Sequence, residues 1–295
     1  MFGELLTAMV TPFTAEGKVD YEQVTELAQY LVDNGSDGLV VLGTTGEVPT
    51  LTEEEKLKVL ATVKEAVGEE TSIVAGTGCY CTEESIYLTQ KAEEIGVDGA
   101  MLVTPYYNKP PQAGLYNHFK TVAEATQLPI IVYNVPSRTG RNVEPETIAQ
   151  LAEVDNIIGV KEASGDAAQA AQINALTDEE FYIYSGDDSL TLPILAVGGT
   201  GVVSVASHLK GTAIKEMITA FKAGKVEKAA AKNKELNKLF DAMFLTTNPI
   251  PVKKSLNLIG HEVGGLRPPL VDLSPELTEE LKQVLAEYDL VSATS

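Results

Sequence analysis

The chain has 295 residues, with 22 lysines and arginines against 42 aspartates and glutamates, a formal charge of −20. That charge argues against nucleic acid and anionic membrane as partners, since both require basic patches, and any positive charge that holds an anionic substrate must be local. Apolar content of 44% and charged content of 22% are those of a folded chain with material for a large core.

The opening MFGELLTAMV has no basic flank and carries Glu4, so it does not read as a secretory signal. No apolar run approaches the roughly 18 residues of a membrane span. Eight short β-rich runs follow: Leu5–Val10, Gly38–Leu42, Ser72–Ala75, Ala100–Val103, Ile130–Tyr133, Ile157–Val160, Phe181–Tyr184 and Gly201–Val205. Most are continuously apolar, as parallel strands buried on both faces must be.

Helical patterns fill the gaps. After Asp20, the residues Val24, Leu27, Ala28, Leu31 and Val32 form one apolar stripe, with Asp20 and Gln23 a box-like start and Asn34-Gly35 a stop. Thr52 and Glu55 predict a capping box for the next helix, which ends at Gly68, and Glu83 to Ile95 repeats the theme before Gly96. Cys79 and Cys81 are too close for a good intrachain disulfide. A C-x-C pair can bind metal, but the histidines at 118, 208 and 261 are scattered, so packing at a strand end is expected. We expect a soluble cytoplasmic protein with reduced thiols.

Eight βα units in about 225 residues predict a (β/α)8 TIM barrel. A doubly wound sheet would use fewer strands and usually a glycine fingerprint, and GTGCYC (76–81) lacks the third glycine. Residues 1–224 are read as the barrel. Residues 225–295 are read as a C-terminal helical extension packed on it, with helices over 226–244, after Asn248-Pro249, and from Ser274-Pro275.

In such a barrel the chemistry sits at the C-terminal ends of the strands. Lys161 ends the sixth run beside Gly159, whose missing side chain leaves room for a long one. Desolvation there disfavours the ammonium, and a neutral amine is what a Schiff-base nucleophile needs. From position alone, Lys161 is either that nucleophile or a structural lysine paired with Glu162 or another acid. Tyr133 is either a proton relay or a core tyrosine with a satisfied hydroxyl. Thr44 and Thr45 lie between two glycines in a turn suited to a small carboxylate, a weak signal by itself. Arg138 could grip a second carboxylate in its fork, or be a surface arginine. Gly198-Gly199-Thr200-Gly201 could cradle a phosphate or be a packing turn.

Taken together, GTTGE (43–47), TPYYNKP (104–110), YNVPSRTG (133–140), GVKEASGD (159–166), SGDD (185–188), GGTGVVSV (198–205) and NPIPVK (248–253) resemble the dihydrodipicolinate synthase family of the pyruvate-dependent class I aldolase/lyase superfamily. The matches run through nearly the whole chain in the family's order. The resemblance implies condensation of pyruvate with L-aspartate 4-semialdehyde to 4-hydroxy-tetrahydrodipicolinate, the committed step of diaminopimelate and lysine biosynthesis. It implies a Schiff base on Lys161 and a proton relay of Tyr133, Thr44 and Tyr107, with Tyr107 reaching in from a neighbouring subunit. Thr45 and the backbone around Gly186 and Val203 would line the pyruvate site, and Arg138 would bind the semialdehyde's carboxylate. A homotetramer built as a dimer of dimers is implied, with no metal and no organic cofactor.

One region departs from the family's lysine-regulated members. They hold lysine at the tight-dimer interface with Ser-Ala after GTTGE, two helix histidines, and Asn-Ala-Thr in the next loop. Here those places hold Val48-Pro49, Glu53 and Lys56, and Tyr80-Cys81-Thr82, while Glu84 and Tyr106 remain. Weak or absent inhibition by L-lysine is expected.

Three other readings compete. A sister lyase, such as N-acetylneuraminate lyase or a 2-keto-3-deoxy sugar-acid aldolase, would share the lysine and tyrosine. Pro136-Ser137-Arg138-Thr139-Gly140 favours the semialdehyde enzyme over it. A non-catalytic binding barrel would have no reason to keep the whole residue set. A phosphate-binding isomerase barrel is opposed by Asp187-Asp188, which repels phosphate.

Overall fold

Strands that are apolar on both faces must be covered on both, and here closure of the sheet covers one face and a ring of helices the other. The computed structural model describes residues 2–292. Its strands are β1 Leu5–Ala8, β2 Gly38–Val41, β3 Ser72–Gly76, β4 Gly99–Val103, β5 Ile130–Asn134, β6 Ile157–Glu162, β7 Tyr182–Ser185 and β8 Gly201–Ser204. All are parallel, and they close into a barrel in chain order, with β8 beside β1. Leu6, Val40, Val74, Met101, Ile131 and Tyr184 fill the interior. A second, larger apolar layer lies between strands and helices.

The helices are α1 Tyr21–Asp33, α2 Glu53–Val67, α3 Thr82–Ile95, α4 Gln112–Ala123, α5 Pro136–Thr139, α6 Pro145–Ala152, α7 Ala167–Leu176, α8 Thr191–Ala196, α9 Ser207–Lys222, α10 Val226–Ala242, α11 Ile250–Leu258 and α12 Pro275–Glu287. The capping box of α2 forms in full, with Glu55 N–H on Thr52 Oγ1 and Thr52 N–H on Glu55 Oε2. The start of α1 is only half a box. Asp20 accepts from Gln23 N–H, but the Gln23 side chain donates to Glu26 instead. The three C-terminal helices do not stand apart: α10 lies along α9, and α11 touches α9 and α12. No helix among the described residues is long and apolar enough to cross a membrane.

Strand boundaries fall within two residues of the sequence reading, and two of the differences matter for the site. β2 stops at Val41 because Leu42 turns into the left-handed region at φ 62°. β6 runs on through Lys161 and Glu162, which pair with Tyr133 and Asn134 on one side and Tyr184 and Ser185 on the other. Lys161 is therefore held by two neighbouring strands rather than carried on a loop.

Candidate active site

The side chain of Lys161 enters a cavity of about 390 Å³ at the C-terminal mouth of the barrel. The residue is 6% exposed, and among the described residues its Nζ makes no hydrogen bond or ion pair; it lies 4.1 Å from the centroid of the Tyr133 ring. Pairing with Glu162 is ruled out by strand alternation, which sends the two side chains to opposite faces. The Glu162 carboxylate is held behind the barrel wall by Asn134 Nδ2 at 3.0 Å, Gln169 Nε2 at 3.0 Å and Ser164 N–H at 2.6 Å.

The space at Gly159 belongs to β7, contrary to the sequence reading. A Cβ there would lie 2.4 Å from Tyr182 O, so the missing side chain admits the neighbouring strand rather than the lysine. The glycine that makes room for Lys161 is Gly186, where a Cβ would stand 2.5 Å from Ala163 Cβ and 3.2 Å from Lys161 Cε.

Thr44 and Thr45 lie in a short 3-10 turn, Thr44–Gly46, on the cavity wall. The turn is flanked by two non-glycine residues in the left-handed region, Leu42 at φ 62° and Glu47 at φ 54°. Such backbone persists only when its surroundings over-determine it. Three partners do so here. Thr45 Oγ1 accepts from Asn248 Nδ2 at 2.9 Å, Gly46 O accepts from Thr11 Oγ1 at 2.7 Å, and the Glu47 carboxylate meets Lys253. Asn248 also fixes Arg138, whose guanidinium donates to the Asn248 carbonyl at 3.3 Å. Arg138 sits on the short helix α5 at the mouth and lines the same cavity.

Two residues of the expected set, Val203 (expected through its backbone) and Tyr107 (expected from a neighbouring subunit), do not line this cavity within the chain. Val203 is buried in the barrel interior, and Val205, two residues on, is the one that lines the cavity. Tyr107 is 93% exposed, at φ 67°, on a loop outside its own chain's cavity. Its neighbour Tyr106 lines a side chamber of about 190 Å³ together with Thr44, Val48, Tyr133 and Arg138. Residues that sequence reasoning passed over are Asn248, Glu47 and Lys253. All three stood inside recognised segments, but no local pattern told which distant residue each would meet.

The remaining alternatives resolve by packing. At the 198–201 turn, a Cβ at Gly201 would lie 1.9 Å from Glu4 O and one at Gly199 2.7 Å from Ile194 O, so these glycines serve close approach. At the other, C-terminal end of β8, Asp188 is buried and accepts from Ser204 Oγ and from Val205 and Ala206 N–H at 3.0 Å. Its carboxylate therefore takes the backbone donors that follow β8. Cys79 is buried with its Sγ on the Cys81 backbone, and both cysteines are free thiols.

A (β/α)8 barrel with an unpaired amine inside its mouth, hydroxyls beside it and a guanidinium above it defines a class, the Schiff-base lyases and aldolases. The sequence matches the Dihydrodipicolinate synthetase family over residues 1–288, and the chain belongs to that family. Among its relatives, the 4-hydroxy-tetrahydrodipicolinate synthase of Cyanothece sp. is 55% identical over 98% of this chain and 99% of that protein. The synthase of Moorella thermoacetica is 54% identical over the same shares. Solved structures agree. Dihydrodipicolinate synthase DapA-2 of Bacillus anthracis superposes with a TM-score of 0.95 at 47% identity, covering 97% of this chain and 98% of that one. The enzyme of Cyanidioschyzon merolae with lysine bound does so with 0.97 at 45% identity, covering 98% and 99%.

Proposed function

We propose that this protein condenses pyruvate with L-aspartate 4-semialdehyde on Lys161 to give 4-hydroxy-tetrahydrodipicolinate. The observation that carries this is the unpaired, buried Nζ of Lys161 facing a cavity with Tyr133, Thr44 and Arg138 on its walls. Lys161 Nζ attacks the ketone carbon of pyruvate, and loss of water leaves an iminium. Tyr133 and Thr44 relay the protons that this exchange requires. The iminium draws electrons from the methyl group, which loses a proton to become an enamine carbon. That carbon adds to the aldehyde of the semialdehyde, whose oxygen takes a proton and remains as the 4-hydroxyl. The semialdehyde's own amine then attacks the iminium carbon, closes the ring and releases Lys161 as the leaving amine.

Arg138 is assigned to the semialdehyde's carboxylate, and Thr45 with the backbone at Gly186 and near Val203 to pyruvate. Tyr107 is assigned to the relay of a second copy. Its exposure on an outward loop supports that reading, because a phenol held in solvent does nothing for its own site. The side chamber beside Thr44 and Tyr133 is where an incoming aromatic ring would lodge. The assembly we infer is the family's homotetramer, a dimer of dimers, working in the cytoplasm.

The test is pyruvate consumption by the purified protein with and without L-aspartate 4-semialdehyde, together with borohydride trapping. Consumption that requires the semialdehyde, and a reducible pyruvate adduct on Lys161, are expected. An adduct without semialdehyde turnover would move the second substrate to a sugar acid of the sister lyases.

A further inference from the structure

Glu47 closes the GTTGE segment and Lys253 closes NPIPVK, 206 residues apart. The structure pairs them at 2.9 Å with side chains 0% and 2% exposed. The lysine donates to Glu47 Oε1 at 2.9 Å, Thr11 O at 3.0 Å and Gly265 O at 2.5 Å, so all three ammonium protons are taken. The other carboxylate oxygen accepts Arg267 N–H at 3.0 Å. Neither side chain lines the Lys161 cavity.

The position of the pair says what it does. Glu47 follows the Thr44–Gly46 turn directly and is itself left-handed, so its conformation sets where that turn ends. Two residues before it, Thr45 accepts from Asn248, which stands five residues before Lys253. The hydroxyl-bearing turn and the start of α11 are thus joined by two links, one of them ionic. A buried ion pair is weak support for stability compared with an apolar pair of similar volume, and fixing one arrangement is its best-attested use.

We propose that the Glu47–Lys253 ion pair is a positioning device for the Thr44–Thr45 turn, and that it sets the affinity of the Lys161 cavity for the carboxylate of pyruvate. This rests on the pyruvate reading of that cavity. Both are positioning residues, acting through Thr44 and Thr45.

The test is the pyruvate concentration that half-saturates borohydride-trapped adduct, read by mass spectrometry on wild type, Glu47→Asp and the double variant Glu47→Gln/Lys253→Met. Glu47→Asp keeps the charge and shortens the arm. Half-saturation should rise about tenfold or more, with full adduct still reached at saturation, because small misplacements of binding groups are costly. The Michaelis constant for the semialdehyde should stay within about twofold. The double variant removes both charges, so its thermal midpoint should stay near wild type while half-saturation remains raised.

Either folded variant taking up pyruvate at the wild-type half-saturation overturns the proposal. So does loss of folded protein in both, which would make the pair a condition of folding rather than of substrate placement. Wild-type protein that traps no pyruvate would instead sink the underlying reading of the cavity.

Discussion

Lys161 and Tyr133 face each other across β6 and β5, and Nζ of the lysine lies 4.1 Å from the centroid of the phenol ring. Lys253 is also buried and equally close to a ring, 4.1 Å from the centroid of Phe13, yet it is saturated with acceptors. The two buried lysines are therefore assigned opposite uses. Lys161→Ala should abolish turnover, by roughly 10³-fold or more, and leave the thermal midpoint unchanged or raised, since a buried unpaired amine costs stability. Lys253→Ala should lower stability by about 3–5 kcal/mol, because it leaves the Glu47 carboxylate buried and unpaired. Urea unfolding of both variants checks the contrast, and equal destabilisation would refute it.

Arg138 is anchored through Asn248 but otherwise open to the cavity mouth. Arg138→Ala should leave the pyruvate adduct on Lys161 within about twofold of wild type, since the arginine is assigned to the other substrate. The same variant should lose about 10²-fold in kcat/KM for the semialdehyde, the value of two charge-assisted hydrogen bonds. Steady-state kinetics in each substrate, with trapping in parallel, separates the two.

Tyr107 can act only across an interface if it acts at all, given its position outside its own cavity. Tyr107→Phe should lower kcat by about 10²-fold. Co-expression of Tyr107→Phe with Lys161→Ala should restore about a quarter of wild-type activity, because half of the dimers are mixed and each mixed dimer holds one complete site. No recovery would place the phenol's role within its own chain, or nowhere.

Inhibition by L-lysine is expected to be weak. Glu53, at a place where regulated relatives have a histidine, is engaged by the Tyr87 hydroxyl at 2.6 Å. Tyr80 packs edge-on against Tyr106, with ring centroids 5.2 Å apart, where those relatives offer an asparagine amide. Lys56 puts a cation where those relatives have their second helix histidine. A titration of activity against L-lysine should show no half-inhibition below about millimolar concentration, the affinity left when a binding site loses charge-assisted partners.

His208 is buried with both ring nitrogens used: Nε2 accepts Val10 N–H at 3.2 Å and Nδ1 lies 2.8 Å from Val205 O. Burial lowers its pKa to about 4, and burial does the same to His118. The unfolded chain takes up these protons near its ordinary value of 6.5, so it binds more protons than the folded state between pH 6.5 and 4. Stability therefore falls as pH drops through that window, by about 2 kcal/mol for each histidine between pH 7 and 5. Urea midpoints at the two pH values check this, and His208→Gln should remove about half of the histidine-linked difference.

The alternation of strands and helices was legible in the sequence because a strand covered on both faces shows as an uninterrupted apolar run. The capping box at Thr52 and the position of Lys161 at the inner end of its strand were legible for the same reason. Hydrophobic period and cap chemistry are local, and they act within a few residues of where they are read. The left-handed turn at Leu42, which ends β2 one residue early, was not: it depends on close approach, since a Cβ at Gly76 would meet Leu42 O at 2.3 Å.

The choice between a free and a paired Lys161 was open in the sequence, where Glu162 is adjacent. Barrel closure decided it, by giving Glu162 to Asn134 and Gln169 on the far side of the wall. The same closure gave the space at Gly159 to Tyr182 and the space for the lysine to Gly186. The links that shape the carboxylate turn, Thr45 to Asn248 and Glu47 to Lys253, join residues more than 200 positions apart. Periodicity and propensity carry nothing over that distance, because a polar side chain meets its partner only after both elements have packed. The residues proposed to carry the chemistry could therefore be named from the chain alone, while those that hold them in place appear only in the folded barrel.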